Sequence, residues 1–288
     1  MLGLQSSRTS VLFPNPSLLS LAHMETAAIQ THGLTRRFGA LTAVEDVTLS
    51  VATGQFFGFL GPNGAGKSTT IKMLTGLLEP SAGTMEILGQ PFGSGALDLK
   101  RQIGVVPEGM ALLGRLTGPE YLRFVGRMYG LDRVTVNQRT EELLEFMKLA
   151  DDRRKLITDF SHGMQKKLAL AAAVIHGPRV LFLDEPFEGV DAIAAGMLKS
   201  MLQGMINRGA TIFLTTHVLE IVERLCSHVA IIHQGRLVAN GSLEQLRAGV
   251  ASTLPGTERE QRLTLEEIFL SIVGANGQDQ ATELSWLA

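Results

Sequence analysis

Cysteine is nearly absent, with Cys226 the single one in 288 residues. That excludes an intramolecular disulfide and fits a reducing compartment, and the thiol reads as a packed core group. Long apolar runs are missing as well. The richest stretch, Leu168 to Leu183, is broken by His176-Gly177-Pro178-Arg179, and a membrane-spanning helix needs about 18 uninterrupted apolar residues. Neither sign of charge dominates, the formal net charge being −2. The short clusters Arg36-Arg37, Arg153-Arg154-Lys155 and Lys166-Lys167 form no basic stripe. They read as solvated faces, and no nucleic-acid partner is expected. His23, His32, His176, His228 and His233 lack metal-ligand spacing. No internal repeat points to a solenoid.

What is present is concentrated in one stretch. Gly61-Pro62-Asn63-Gly64-Ala65-Gly66-Lys67-Ser68-Thr69 fits the phosphate-binding pattern G-x-x-x-x-G-K-[ST]. The apolar run Gln55–Leu60 before it reads as a buried strand, and Ile71, Leu74 and Leu78 after it recur at helical spacing. The glycines let the backbone curl its N–H groups against phosphate oxygens, and the helix N-terminus adds partial positive charge. Lys67 can then reach the β- and γ-phosphates, and the Ser68 hydroxyl can ligate Mg²⁺.

Around this loop the periodicities alternate. Ala27–Gln30 and the alternating Val47, Leu49 and Val51 predict strands of a small sheet ahead of the loop. Glu79–Gly83 reads as a turn before a strand at Met85–Leu88, with another strand at Ile103–Val106. From Thr117 to about Ala173 the pattern is helical. Thr117 caps a first helix with the stripe Leu122, Val125 and Tyr129; Leu143, Leu144 and Met147 mark a second; a third begins at Ser161 and stops at Gly177-Pro178. Strands return at Val180–Leu183, Thr211–Leu214 and Val229–Ile232. A helical insert thus interrupts an α/β core, which a chain of this length can bury together with a smaller subdomain. Near the end, Thr264 and Glu267 form a capping box ahead of Ile268, Phe269 and Ile272, predicting a short docking helix over 265–273. Residues 1–25 are rich in Ser, Pro and Leu. The expectation there is a disordered lead, or translation that starts at Met24.

Two further groups narrow the chemistry. Leu181-Phe182-Leu183-Asp184-Glu185 is an apolar strand ending in two acids. Beside such a loop, an Asp holds Mg²⁺ and an adjacent Glu can orient or deprotonate an attacking water. Ser161-His162-Gly163-Met164-Gln165 places a capping Ser and a Gly at a second helix N-terminus, another anion-binding element. One triphosphate already has its cradle at 61–69, so the nucleotide is expected to sit between two chains.

In this order the motifs resemble the ATP-binding subunit of an ABC (ATP-binding cassette) transporter, over about residues 26–245. The resemblance implies a P-loop NTPase cassette core with a mixed sheet, a small antiparallel β subdomain and an inserted helical subdomain at about 109–175. A tail, 246–288, follows. It implies ATP and Mg²⁺ as cofactors, ATP hydrolysis coupled to transport, a second ATPase subunit and separate transmembrane permease subunits as partners, and a peripheral place on the cytoplasmic membrane face. It also implies residue roles: Phe38 stacks on adenine, Asp191 communicates across the dimer, and His217 contacts the γ-phosphate. Taken alone, Phe38 reads as a core aromatic and His217 as a strand-end histidine. Two residues depart from the family pattern. His162 stands where the signature has its first glycine, and Glu108 stands where a Gln is usual. Both, with the tail segment Leu265–Leu270, resemble a bacterial branch that exports drugs, antibiotics, sodium or lipid-linked polymers. An importer ATPase, or a non-transport cassette protein acting as an ATP-gated module, remains the alternative.

Overall fold

The computed structural model describes residues 27–93, 95–251 and 263–274. The expectations for the first 25 residues, and for the end of the tail, lie outside the described residues. A long antiparallel pair, β1 (Ala27–Phe38) and β2 (Leu41–Ala52), opens the described chain, followed by β3 (Phe56–Leu60), the glycine-rich loop and α1 (Lys67–Leu74). Then come β4 (Ala82–Ile87), β5 (Gln90–Pro91), α2 (Leu97–Lys100) and β6 (Ile103–Val106). Three helices interrupt the sheet, α3 (Gly118–Met128), α4 (Arg133–Phe146) and α5 (His162–Val174). The chain returns through β7 (Val180–Asp184), α6 (Ala192–Ile206), β8 (Thr211–Thr216), α7 (Leu219–Leu225), β9 (His228–His233) and β10 (Arg236–Ser242). It continues to α8 (Leu243–Ala251) and α9 (Leu265–Gly274).

The strands make two sheets. One is four-stranded and antiparallel in the order β2-β1-β4-β5. The other is six-stranded in the order β10-β9-β3-β8-β7-β6, parallel except for the antiparallel pair β9–β10. This is the mixed sheet, small antiparallel sheet and helical insert that the sequence predicts. The central strands are buried on both faces, as in parallel sheets covered on both sides, which is why they read as continuous apolar runs.

Strand alternation divides the core in two. Phe57, Phe59, Phe182 and Phe213 point to the face covered by α1 and the four-stranded sheet, with Phe213 in ring contact with the other three at centroid distances of 5.3–5.7 Å. Each such buried phenylalanine contributes roughly 1.5–3 kcal/mol by leaving water. Phe56, Leu60, Leu181, Leu183, Ile212 and Leu214 point to the opposite face, where α5 and α7 pack. Gly104 on β6 lets α5 lie directly on the sheet: a Cβ there would sit 2.2 Å from the Ala173 carbonyl oxygen.

The insert helices start where the sequence caps them. Thr117 and Glu120 exchange capping bonds at the start of α3, Asp132 accepts from the Val134 and Thr135 N–H groups at α4, and Ser161 accepts from Met164 N–H at α5. At α9, Thr264 and Glu267 form the reciprocal pair, and Leu265 and Ile268 are fully buried.

Several local expectations are corrected. Helix α1 stops at Leu74, because Thr75 takes the C-cap and Gly76 turns left-handed at φ +68°, so Leu78 lies in the following turn. Strand β4 starts at Ala82 and ends at Ile87, since Ala82 already pairs with Thr35 of β1 and Leu88 is left-handed. Lys166, expected on a solvated face, is buried. Arg36 lies over the Phe38 ring, 4.6 Å from its centroid.

Candidate active site

The loop between β3 and α1 is shaped by backbone. Gly66, the N-cap of α1, has φ +110°, and a Cβ on it would meet the Ala43 carbonyl oxygen at 2.6 Å. No side chain caps α1 and no acid occupies its first turn, so its first N–H groups remain free to face an anion. Lys67 is buried, and its ammonium donates to the Gly61 carbonyl at 2.8 Å and the Pro62 carbonyl at 3.3 Å. Asn63 and Gly64 form the exposed rim, Ala65 is buried beneath, and Ser68 and Thr69 are half-buried.

The acids at the end of β7 meet this loop from the side. Asp184 is 3% exposed and accepts from the Thr215 hydroxyl. Burial raises its pKa above the ordinary carboxylate value; the neighbouring Thr215 and Ser68 hydroxyls oppose that, while Glu108 and Glu185 add to it. Ser68 Oγ donates to Glu108 Oε2 at 3.2 Å. Glu185 is also buried and left-handed at φ +49°, a conformation that costs a non-glycine residue about 1–3 kcal/mol. Its N–H donates to the Thr215 carbonyl at 3.1 Å, which fixes the turn. Its Oε2 lies 3.1 Å from His217 Nδ1 and accepts from the His217 main-chain N–H at 3.3 Å. The other oxygen, Oε1, is 3.8 Å from Lys67 Nζ. A proton on Nδ1 makes the ring contact a hydrogen bond and leaves Nε2 of the half-exposed imidazole as an acceptor.

Asn63, Lys67, Ser68, Glu108, Glu185 and His217 thus line one cleft of about 300 Å³. A larger groove of about 740 Å³ between α4 and the end of α6 contains none of them, so size does not mark the site here. Among the described residues no cluster of three or more acids, histidines or cysteines forms a metal cage. The donor set fits Mg²⁺ all the same. Hydroxyl and carboxylate oxygens at Ser68 and Asp184 are hard ligands, and Mg²⁺ typically takes only one or two carboxylates plus substrate phosphates and water.

Of the predicted residues, Gly61, Pro62, Ala65 and the buried Asp184 are not on the cleft lining, and neither are three further elements. Phe38 ends β1, 45% exposed, so it is no core residue. Ser161 is exposed and Gly163 half-buried at the start of α5. Asp191 is exposed and caps α6, accepting from Ala194 N–H at 2.9 Å; that bond holds its pKa below the ordinary value. Sequence reasoning missed Ala43 and Glu188 on the cleft wall, Thr215 behind Asp184, and Lys166 behind Glu185. Thr215 sits opposite Asp184 only because β7 and β8 pair in that register.

A family profile for ABC transporters matches residues 44–188. Nod factor export ATP-binding protein I of Cupriavidus metallidurans is 38% identical over 221 residues, which are 77% of this chain and 73% of that protein. The daunorubicin/doxorubicin resistance ATP-binding protein DrrA of Streptomyces peucetius is 35% identical over 80% of this chain and 69% of its own length. A solved ATP-binding subunit of an ABC transporter superposes with a TM-score of 0.78 at 32% identity, covering 85% of this chain and 99% of that one. A phosphate loop faced by two buried acids, in a cassette sheet with a helical insert, agrees with all three. The chain belongs to the ABC transporter family, as an ATP-binding and ATP-hydrolysing cassette subunit.

Proposed function

We propose that this cassette works as one of a pair, closing on ATP·Mg²⁺ to drive transmembrane permease subunits in export. One observation carries the pairing. Loop residues Asn63, Gly64 and Gly66 to Thr69 share one cleft with Glu185 and His217, while the α5 N-terminus at Ser161, the second anion-seeking element, stands exposed outside it. A second cassette supplies that helix across the nucleotide. Export follows the relatives named for Nod factor export and drug resistance. Among the described residues no helix is long and apolar enough to cross a membrane; the chain is held at the cytoplasmic face through the permease. The catalytic unit runs over residues 26–245, with the insert at 109–175 as the part that moves the permease; α9 docks against α7, α8 and β10.

Each residue of the cleft has a task in this reading. Gly61, Pro62, Asn63, Gly64, Ala65, Gly66 and Thr69 wrap backbone around the phosphates, and Phe38 offers the ring face away from Arg36 to adenine. Lys67 turns from the loop carbonyls to the β- and γ-phosphate oxygens. Ser68 and Asp184 would hold Mg²⁺, which when bound neutralises charge on those oxygens. Glu185 Oε2 is pinned by His217, so Oε1 is the atom that takes the proton of the attacking water. His217 Nε2 faces the γ-phosphate, and Asp191 and Gly163 sit at the contact with the second cassette.

Mixing two inactive variants tests the composite site. Lys67→Ala disables the loop. Ser161→Asp still caps α5, but sets a negative charge against the partner's phosphates. Each variant alone is expected to be inactive, and the mixture to recover activity, because one of the two sites then has both intact halves. No recovery in a mixture shown to contain mixed dimers would sink the two-chain site.

A further inference from the structure

Helix α5 carries one residue that its own pattern rejects. Leu170 and Ala173 follow Lys166 at helical spacing and are buried, so a lysine stands at a position patterned for an apolar side chain. Its side chain is 7% exposed. Burial pulls its pKa below the ordinary lysine value, while Glu188, Glu185 and Glu108 pull the other way. The ammonium donates to the Glu185 carbonyl oxygen at 3.1 Å and also to the Glu188 carbonyl oxygen, and lies 3.9 Å from the Glu188 carboxylate. One turn earlier, the ring of His162 lies against Gly189: a Cβ there would be 3.0 Å from His162 Cδ2. Two successive turns of α5 therefore hold the segment from Glu185 to Gly189.

We propose that Lys166 is a positioning residue for Glu185. Its two carbonyl bonds keep the turn after β7 in the left-handed form that aims the carboxylate at the cleft. The inference rests on Glu185 being the general base. The Glu185 N–H is already fixed by Thr215, and the Glu185 carboxylate by His217. Lys166 is the bond at the third point, the carbonyl oxygen. It reaches there from the helix whose N-terminus carries Ser161, so the base is anchored to the same element that meets the second cassette.

Removing the donors should misplace the base while sparing the phosphate cradle. Lys166→Met keeps length and apolar bulk but donates nothing. With the full chain, kcat for ATP hydrolysis should fall by about 10²-fold, the scale of a small misplacement at a reacting centre, while the affinity for a non-hydrolysable ATP analogue with Mg²⁺ stays unchanged. Lys166→Gln is one bond shorter and neutral, yet still donates two protons, so it should restore most of that rate. On a Glu185→Gln background, Lys166→Met should cost nothing further, because both changes act through one group. Wild-type kcat in Lys166→Met overturns the proposal. So does equal loss in Met and Gln, which makes the ammonium a charge and not a tether. So does an undiminished further loss on the Glu185→Gln background. Melting temperatures of both variants set an assay temperature at which both are folded, so the Met–Gln comparison decides. If Glu185→Gln itself keeps the wild-type rate, the general-base reading fails, a result distinct from all of these.

Discussion

His217 grips one oxygen of Glu185 twice, from ring Nδ1 at 3.1 Å and from its own main-chain N–H at 3.3 Å. The pair joins the ends of two adjacent strands, β7 and β8, whose register sets Asp184 opposite Thr215. A carboxylate fixed through one oxygen leaves the other, here 3.8 Å from Lys67 Nζ, for the proposed general-base role once Lys67 turns to the phosphates.

If Glu185 is the general base proposed above, Glu185→Gln retains the shape and the oxygen facing His217 but removes the proton acceptor and its charge. Steady ATP turnover should fall by about 10²–10⁴-fold, the usual contribution of a general base. Binding of ATP should survive, because Lys67, Ser68 and Asp184 are untouched, and loss of a negative charge beside the γ-phosphate should favour the closed dimer. Lys67→Ala should instead weaken binding and prevent closure. ATPase rate measured beside size-exclusion mass, with and without ATP·Mg²⁺, separates the two. Wild-type turnover in Glu185→Gln would remove it from the reaction.

Glu108 is bound to the same hydroxyl that would hold Mg²⁺, Ser68 Oγ at 3.2 Å. With a triphosphate in the cleft that Glu108 lines, its carboxylate would add negative charge nearby, so tight closure should depend more strongly on Mg²⁺ here than with a glutamine at that position. Glu108→Gln should leave ATP affinity within about the few-fold range of a lost neutral-scale hydrogen bond, lower the Mg²⁺ concentration needed for half-maximal ATPase, and change turnover with the permease present. An unchanged Mg²⁺ titration and unchanged coupled turnover would leave Glu108 without a special role.

His176 gives stability a pH dependence. Burial lowers its pKa to about 4, partly opposed by the bond from Nε2 to the Ile103 carbonyl at 3.1 Å, and its ring stacks on Tyr129 at 3.7 Å. The folded value lies below the unfolded one, so between them the unfolded chain binds more protons. Stability from this group is present above the unfolded pKa, about 6.5, and is lost as pH falls toward 4. Melting temperature should decline over that window. In His176→Phe, which keeps the stack, the slope should flatten, though the variant starts lower at pH 7 for want of the hydrogen bond. An equally steep decline in both proteins would place the acid sensitivity elsewhere.

Some of this was readable because it is local. Gly61–Thr69 is contiguous, its strand and helix flank it directly, and the phosphate cradle is made by backbone of those residues alone. Asp184 and Glu185 follow an apolar strand, and their burial follows from it. The caps at Thr117, Ser161 and Thr264 are likewise short-range. Helix α6 carried no such sign, since small or apolar residues occupy nearly every side of Ala192–Ile206, and periodicity needs contrast between faces.

The amino-acid sequence by itself determined the phosphate loop, the acidic strand end, the alternating strands and helical insert, and the family. Each depends on residue types at fixed short spacing. Only the tertiary structure decided which distant groups share a space. It set Thr215 behind Asp184 through the β7–β8 register, buried Lys166 under Glu185 although its neighbours in sequence suggested a solvated cluster, turned Asp191 into the cap of α6, and kept Ser161 out of the cleft. Those relationships are set by how strands pair and how α5 lies on Gly104, and side-chain chemistry read along the chain does not encode them.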